Sequence, residues 1–405
     1  MIDFATYRML AEKNGTPLYI FHEEEFLNNY DELVGCFRKA YPNYQISYSY
    51  KTNYTPYICR IIKNKGGYAE VVSDMEYTLA KRLGYTNDKI VYNGPAKGPM
   101  LEEHLLNGGI NNIDNLSEAL RICRLADENS GKIIKTGLRI NVNLGRGSVS
   151  RFGLDPDSGD MERVLSELKK RENIRINGVH CHLSHARDLE AWSMRTELML
   201  KSADRFVGGI PEYISLGSGM FGRMDDALAA QFGCNVPCYE DYAGVTMDKI
   251  AAHYLGGSEK PIVFSEPGAT LISKYISFLT KVKDIKTVAG RTVAVTDGSF
   301  YNLGEISLKK QLPLTVIRNG DDNYHGEYDI VGYTCLEYDT MYRAYNGTLN
   351  GGDLLIFGNV GGYSIVSKPQ FIRPNCPMVV IDKKGIIKEI MRGETFEDIF
   401  SKFVF

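Results

Sequence analysis

Apolar and polar residues follow two different patterns along the 405-residue chain. In the first two thirds, short apolar runs typical of strands are separated by segments with helical spacing, such as DMEYTLAKRLG and SEALRICRLADEN. The strand-like runs lie at 44–50, 67–72, 89–93, 110–114, 137–142, 175–182, 212–216 and 261–265. Eight strands alternating with helices over about 225 residues predict an α/β fold, a (β/α)8 barrel, with a doubly wound open sheet as the alternative.

The pattern changes after about residue 270, where Gly and Asp turns separate short strand-like runs. These runs lie at 275–288, 291–298, 313–320, 328–335, 353–360, 363–367 and 378–390. Helical spacing returns only in TFEDIFSKF near the C-terminus. The sequence therefore predicts a separate all-β domain. The run TPLYIFH, before the barrel pattern, is also strand-like, and either domain is a candidate to pair with it.

Composition narrows the class of protein. With 43% hydrophobic residues, 24% charged residues and a formal net charge of −3, we expect a globular protein that binds neither nucleic acid nor membranes. The N-terminal MIDFATYRMLAEKNG has no apolar signal core, and the eight cysteines form no framework pattern, so we expect a cytoplasmic protein. Cys234 and Cys238 are the only close pair, and we interpret them as ordinary thiols rather than metal ligands.

Residues with useful chemistry lie where the predicted barrel strands end, which is where active sites of such barrels form. They are Lys51, Ser73, Asn93, Arg139, Asn141, His180, His182, Gly217, Gly219 and Glu266. Each has a structural alternative: Lys51 as a solvated strand end, the histidines of HCHLSH as buried polar residues or zinc ligands, and EPG at 266–268 as a turn.

The glycine loop GSGMFG at 217–222 matches the G-x-G-x-x-G pattern, so a dinucleotide site in an NAD-dependent oxidoreductase is a competing hypothesis. The loop follows the seventh predicted strand, whereas a dinucleotide fingerprint opens the first βα turn. No clear acidic residue ends a following strand at the expected distance. The loop therefore favours a site for a single phosphate group.

An amine, a phosphate-binding loop, a carboxylate and a flat histidine ring together suit pyridoxal 5'-phosphate. The chain also resembles the fold-type III pyridoxal-phosphate decarboxylases, the diaminopimelate and ornithine decarboxylase family, over nearly its whole length. Nine segments in family order carry the resemblance: YSYKTN, GGYAEVVSDMEY, GLRINVN, SRFG, GVHCHLS, SLGSGMFG, SEPG, GYTCLEYD and GGYS.

The resemblance implies a role for each residue that matches a family motif. Lys51 would bind the cofactor covalently, Glu266 would bind its pyridine nitrogen, and His182 would stack on its ring. Gly217, Ser218, Gly219 and Tyr363 would hold the phosphate, and Gly268, Arg139 and Glu70 would lie near the cofactor. Cys335, at the end of the predicted strand 328–335, would reach the active site of a second subunit, which implies a homodimer with shared sites. The barrel would span 26–270, and the β-domain 271–405 would include the N-terminal strand within 1–25.

Four departures from the family pattern affect the phosphate and the far end of the substrate. Ala269 replaces the arginine of EPGR, HLSH replaces HxGS so that His185 stands at the last position, and Leu336 replaces a common acid. The arginine expected shortly after DGSF is missing from YNLGEIS. The resemblance thus implies an α-decarboxylase for an amino acid or carboxylated amine, with its distal specificity changed.

Two further functions remain open. One is an amino-acid racemase on the same barrel; in the resemblance, such racemases have arginine where this chain has Glu266 and a catalytic tyrosine where it has Cys335. The other is a protein that binds the cofactor without catalysis. The β-domain with Cys335 and Tyr363 disfavours it.

Overall fold

The computed structural model describes residues 3–147, 149–257, 259–320 and 325–405. The chain folds into two compact units. One comprises Met1–Asn29, Gly222–Asn235 and Leu271–Phe405, and the other comprises Tyr30–Phe221 and Val236–Thr270. No sequence pattern indicated that 222–235 groups with the first unit, and the domain limits 26–270 and 271–405 stay a prediction.

The chain begins with helix α1 (Phe4–Asn14), strand β1 (Leu18–His22) and helix α2 (Glu23–Ala40). Helix α1 was not predicted, because Leu10 is its only buried residue and no clear apolar stripe marks it. Its start is fixed by Asp3, whose carboxylate accepts a hydrogen bond from the N–H of Thr6 at 2.7 Å.

Eight parallel strands form a closed barrel, which confirms the predicted fold. The strands are β2 (Tyr44–Ser49), β3 (Tyr68–Val71), β4 (Ile90–Tyr92), β5 (Ile110–Ile113), β6 (Ile134–Arg139), β7 (Ile174–His180), β8 (Tyr213–Ser215) and β9 (Ile262–Ser265). Strand β6 ends at Arg139 rather than 142, since the chain then turns into a loop in which Asn141 donates hydrogen bonds to the carbonyls of Ser150 and Phe152.

Helices follow the barrel strands along the chain. They are α3 (Pro56–Asn64), α4 (Asp74–Arg82), α5 (Met100–Leu106), α6 (Leu116–Glu128), α7 (Gly159–Lys169), α8 (Leu189–Phe206), α9 (Asp226–Ala230), α10 (Tyr239–His253) and α11 (Ala269–Ile272). Ser73, one of the strand-end candidates, is the N-cap of α4, where its hydroxyl accepts a hydrogen bond from the N–H of Glu76. None of the helices in the described part of the chain combines the length and apolar content needed to cross a bilayer.

Aromatic side chains fill part of the barrel unit's core. Tyr68, Val91, Tyr213 and Phe264 form a buried cluster. Gly178 on β7 makes room for it, because a Cβ at this position would lie 2.5 Å from the ring of Tyr213. Small and large residues on neighbouring strands therefore complement each other inside the barrel.

The rest of the chain forms the predicted sheet. Its elements are β10 (Ile276–Val288), β11 (Arg291–Thr296), β12 (Leu314–Ile317), β13 (His325–Val331), β14 (Thr340–Thr348), β15 (Leu354–Phe357), β16 (Met378–Ile381), β17 (Ile387–Met391) and helix α12 (Phe396–Phe400). The strand order is β14-β13-β11-β10-β1-β16-β17, with β15 also on β10 and β12 on β15. Strand β1 thus belongs to this sheet, between β10 and β16.

The strand prediction for this sheet was wrong at a missed strand, at the run 363–367 and at the end of the run 328–335, since β13 ends at Val331. Strand β14 was missed, because most of its residues are partly or fully exposed and lack an apolar alternation. The run 363–367 is not a strand but a series of turns. Tyr363 there has a φ of 56°, which a strand residue does not adopt.

Candidate active site

Lys51 lies in a single 3-10 turn that directly follows β2. Its Nζ donates a hydrogen bond to Oε2 of Glu70 at 2.7 Å. The lysine side chain is 30% exposed, whereas the glutamate is 1% exposed. Register between β2 and β3 places Ser49 opposite Glu70, and the Ser49 hydroxyl donates to the same carboxylate. Lys51 is therefore held on a buried acid, unlike a solvated lysine at a strand end.

Glu266 follows β9 and is almost completely buried. Its carboxylate accepts hydrogen bonds from Ser215 at 2.9 Å and from Asn93 at 3.1 Å, and it lies 3.1 Å from Nε2 of His180. Burial raises the pKa of Glu266, but His180, through its charge and hydrogen bond, and the charge of Lys51 outweigh burial and hold this pKa well below its usual range. The carboxylate is thus ionised at neutral pH.

A buried chain of amides links the two carboxylates. The Nδ2 group of Asn93 donates to Glu70 at 3.2 Å and to Glu266 at 3.1 Å. Its Oδ1 accepts from Asn112, whose own Oδ1 accepts from the hydroxyl of Tyr213 at 2.8 Å. Since each amide oxygen is already an acceptor, the NH2 group of Asn93 must face the acids.

Asn112 and Tyr213 were not among the candidates from the sequence. The signal available for them in the sequence was that each is a residue with a polar group within a strand-like run. Period-two alternation alone does not show which face of β5 or β8 points into the barrel. Asn93 was noted only as a strand-end residue, and its bridging role depends on contacts between three strands.

His182 lies two residues beyond the end of β7. Its Nδ1 accepts a hydrogen bond from the N–H of Ser218 at 3.3 Å and lies 3.8 Å from the Glu266 carboxylate. Desolvation, followed by the positive charge of Lys51, lowers the pKa of His182 well below its ordinary value. The ring is therefore neutral, which matches its role as an acceptor.

The glycine loop after β8 requires its glycines. Gly217 and Gly219 have φ values of 62° and 99°, in the left-handed region. A Cβ at Gly217 would lie 2.2 Å from the carbonyl oxygen of Cys181, and a Cβ at Gly219 would lie 2.1 Å from that of Leu183. Backbone therefore packs directly on backbone, which leaves a surface of peptide groups with few side chains.

The predicted residue Gly268 also stands at a close approach, since a Cβ there would lie 2.0 Å from the hydroxyl oxygen of Thr52. EPG is thus more than a turn: it packs against the 3-10 turn that carries Lys51. The neighbouring Ala269 begins α11 and is exposed, as is His185.

Arg139 is paired with an acid that the sequence did not indicate. Its guanidinium donates to Asp114 at 3.1 Å and lies 4.7 Å above the ring of Phe152. Asp114 also accepts from the N–H of Gly153, so it ties the loop after β6 to the end of β5. The Arg139 charge contributes to the lowered pKa of His182.

Cys335 lies in the β-domain unit and is exposed. The expectation that it ends a strand is wrong, since β13 ends at Val331. The chain turns there because the buried carboxylate of Asp339 accepts from both the N–H and the hydroxyl of Thr334, at 3.2 and 2.6 Å. The thiol is therefore carried on a turn that Asp339 stabilises.

Tyr363 lies in the same unit, in the turn GGYS. The turn is fixed to the preceding chain at Gly361, where a Cβ would lie 2.1 Å from the carbonyl oxygen of Ile272. The hydroxyl of Ser364 donates to the carbonyl of Val360 and closes the turn. A φ of 56° at Tyr363 is unusual for a residue other than glycine.

The barrel residues fit pyridoxal 5'-phosphate. A carboxylate accepts about four hydrogen bonds, and His180, Ser215 and Asn93 supply three to Glu266, which leaves room for a protonated ring nitrogen. Lys51 supplies the amine, and the loop at Gly217 supplies peptide groups that a Cβ would obstruct. His180 and His182 of HCHLSH contact Glu266, and within the described residues no group of three or more His, Cys, Asp or Glu forms a metal site.

A parallel barrel with a lysine on a buried acid, an ionised glutamate and a glycine loop defines the class of barrel proteins that bind pyridoxal phosphate through a lysine. Residues 29–273 match the family described as pyridoxal-dependent decarboxylase, pyridoxal binding domain, and the chain belongs to this family. The expected resemblance is thereby confirmed.

Similar proteins extend the match over the whole chain. The diaminopimelate decarboxylase of Methanothermobacter thermautotrophicus is 26% identical over 96% of this chain and 92% of its own length. The diaminopimelate decarboxylase of Methanocaldococcus jannaschii is 27% identical over 97% of this chain and 92% of its own length. The crystal structure of diaminopimelate decarboxylase from M. jannaschii has a TM-score of 0.84, with 26% identity, and covers 98% of this chain and 94% of that one.

Proposed function

We propose that this protein is a pyridoxal-phosphate-dependent α-decarboxylase of an amino acid or carboxylated amine related in structure to diaminopimelate. The observation that carries the proposal is the buried, ionised Glu266 and its three hydrogen-bond donors, in a barrel of the decarboxylase family. A carboxylate in this position favours an electron-accepting ring, which decarboxylation requires. The carboxylate also distinguishes the proposed decarboxylase from a racemase, for which arginine was expected at this position.

The cofactor, when bound, supplies a conjugated ring that accepts the electrons of the breaking bond between Cα and the carboxylate. Glu266 would keep the ring nitrogen protonated, because its own pKa is held well below the usual range. His182 would cover one face of the ring as a neutral imidazole. Gly217, Ser218 and Gly219 would hold the phosphate, together with Tyr363.

Glu70 prepares Lys51 for its role. An ammonium group is not a nucleophile, so Lys51 must lose a proton before it can bind an aldehyde. The Glu70 carboxylate lies 2.7 Å from Nζ, within reach to accept that proton and return it. Asn93 keeps the carboxylate in place by donating to its other oxygen.

We further propose that Cys335 donates the proton that replaces the lost carboxylate on the substrate carbon. A thiol carries an S–H proton that it can donate. By the family resemblance, Cys335 acts in the active site of a partner subunit, so the protein would be a homodimer. Mixing Lys51→Ala with Cys335→Ala protein should restore part of the activity through hybrid dimers with one intact site. No recovery after confirmed subunit exchange would remove the shared site.

The remaining features of the proposal are the cellular location and the distal end of the substrate. None of the eight cysteines, all within the described residues, forms a disulfide, which supports a reducing compartment such as the cytoplasm. Leu336 in place of an acid after Cys335 supports a substrate whose distal end differs from those of diaminopimelate and ornithine.

The decisive experiment is a screen for CO2 release by the purified, cofactor-loaded protein. The panel should contain diaminopimelate, ornithine, arginine and carboxylated polyamines, with the Lys51→Ala variant as control. We expect one group of substrates to release stoichiometric CO2 only with the wild-type protein. Racemisation of an amino acid without CO2 release would refute the proposal in favour of a racemase.

A further inference from the structure

Arg195, on helix α8, is a fully buried cation. Its guanidinium carbon lies 4.3 Å from the ring centroid of Trp192. Burial of a charge is costly unless other groups compensate for the lost water. Among the ion pairs of the described residues, none involves Arg195. Within the part of the chain that the structure describes, no carboxylate therefore lies within ion-pair distance of its guanidinium.

Four backbone carbonyls take the place of that carboxylate. The NH1 group donates to Leu216 at 3.1 Å and to Ser218 at 2.7 Å, in the glycine loop. The NH2 group donates to Leu183 at 3.3 Å and to Ala186 at 3.2 Å, in the loop after β7. One side chain thus binds the two loops together behind the surface made by the glycines.

The geometry of the peptide bond determines what these contacts do on the other side of the loops. In a trans peptide, the C=O and the following N–H point in opposite directions. Because Arg195 holds the carbonyls of Leu216 and Ser218, the N–H groups of Gly217 and Gly219 point away from it. The N–H of Gly217 donates to the hydroxyl of Ser215 at 3.3 Å, so the N–H of Gly219 is the one left for an anion. A hydrogen bond from a cation also polarises each peptide and makes its N–H a better donor.

We propose that Arg195 is the positioning residue of the phosphate site: it orients the peptide N–H of Gly219 and supplies a fixed positive charge behind it. This inference rests on the proposed function, since it assigns the anion to the phosphate of the cofactor. It also accounts for Ala269, which stands where the family motif has arginine. The cation lies behind the glycine loop at Arg195 and not at position 269.

The test compares two ligands that differ only in the phosphate. Apoprotein is dialysed against pyridoxal phosphate or pyridoxal, and bound ligand is measured for wild type, Arg195→Gln and Arg195→Lys. The internal hemiacetal that free pyridoxal forms is the same for every protein variant, so the change in the affinity ratio from wild type to variant reports the phosphate alone. We expect Arg195→Gln to weaken the binding of pyridoxal phosphate by about 10- to 100-fold and the binding of pyridoxal by less than about threefold. The affinity of Arg195→Lys for pyridoxal phosphate should lie between those of wild type and Arg195→Gln, because lysine keeps the charge.

A matched control is Arg205→Gln, on the same helix, where the exposed arginine pairs with Asp157 and should not affect either ligand. Inorganic phosphate should compete with pyridoxal phosphate, but not with pyridoxal, for wild-type apoprotein, which tests the phosphate site itself. If Arg195→Gln does not fold, the affinity ratio of Arg195→Lys tests the side chain. Equal weakening of both ligands would mean a merely structural role. If the wild-type protein binds pyridoxal phosphate and pyridoxal equally well, the phosphate site is overturned but the proposed function stands. If it binds neither ligand, the phosphate site and the proposed function are both refuted.

Discussion

Replacement of Glu266 by glutamine tests the site most directly, because it changes charge and donor pattern with little change in shape. In the wild type, one carboxylate oxygen accepts from Ser215 and Asn93, and His180 lies 3.1 Å from the carboxylate. A glutamine has only one acceptor oxygen, so its NH2 group must face at least one of these donors.

The expected cost follows from those contacts. Loss of one hydrogen bond to a charged group amounts to about 1.5–3 kcal/mol. Without the negative charge, the proton on the ring nitrogen also loses its partner. We expect the activation barrier to rise by about 3–4 kcal/mol, which corresponds to a turnover roughly 100- to 1000-fold lower.

The assay measures CO2 release and cofactor content on the same preparation. Cofactor should remain bound in Glu266→Gln, because Lys51 and the glycine loop are unchanged, while turnover falls. Glu266→Asp keeps the charge and serves as the control for geometry. Turnover within about threefold of the wild type, with full cofactor content, would refute the assignment and leave Glu266 as a structural residue.

Four other variants test separate parts of the structure. Lys51→Ala should abolish cofactor fixed by borohydride; covalent label in this variant would identify a different lysine. Cys335→Ala should release CO2 more slowly and lose activity with time unless fresh cofactor is added, because the proton can then reach a carbon of the cofactor instead of the substrate carbon. Full, stable turnover would exclude Cys335 as the proton donor. Ala269→Arg should slow cofactor loss on dialysis, since position 269 is exposed and has room for the side chain; faster loss would point to a group already in that space, with His185 as the candidate. Burial lowers the pKa of His104 to about 4, so the unfolded chain binds its proton first as the pH falls below 6.5, and stability should decrease by up to about 3 kcal/mol between pH 6.5 and 4. His104→Gln should make urea unfolding less pH-dependent over that range, and an unchanged slope would contradict the lowered pKa.

Local pattern was sufficient for much of the fold. Most barrel strands alternate or are continuously apolar, and helical spacing separates the strands, so the period of the sequence determined the order of elements. Strand β14 and helix α1 were missed for the same reason: their exposed faces leave no apolar period to detect. The end of β13 was misplaced because the buried carboxylate of Asp339 binds Thr334 and turns the chain, a contact that the strand-like pattern of 328–335 does not reveal.

The sequence by itself determined which chemical groups stand at the strand ends: Lys51, His182, Glu266 and the glycine loop. Only the tertiary structure decided their state, because pKa and orientation depend on neighbours that are remote in sequence. Asn93 and Glu266 are hydrogen-bonded although they lie 173 residues apart in the sequence, and Arg195 reaches the glycine loop from helix α8. Closure of the barrel brings these residues within hydrogen-bond distance, so an ionised carboxylate and a buried cation are properties of the fold and not of any motif.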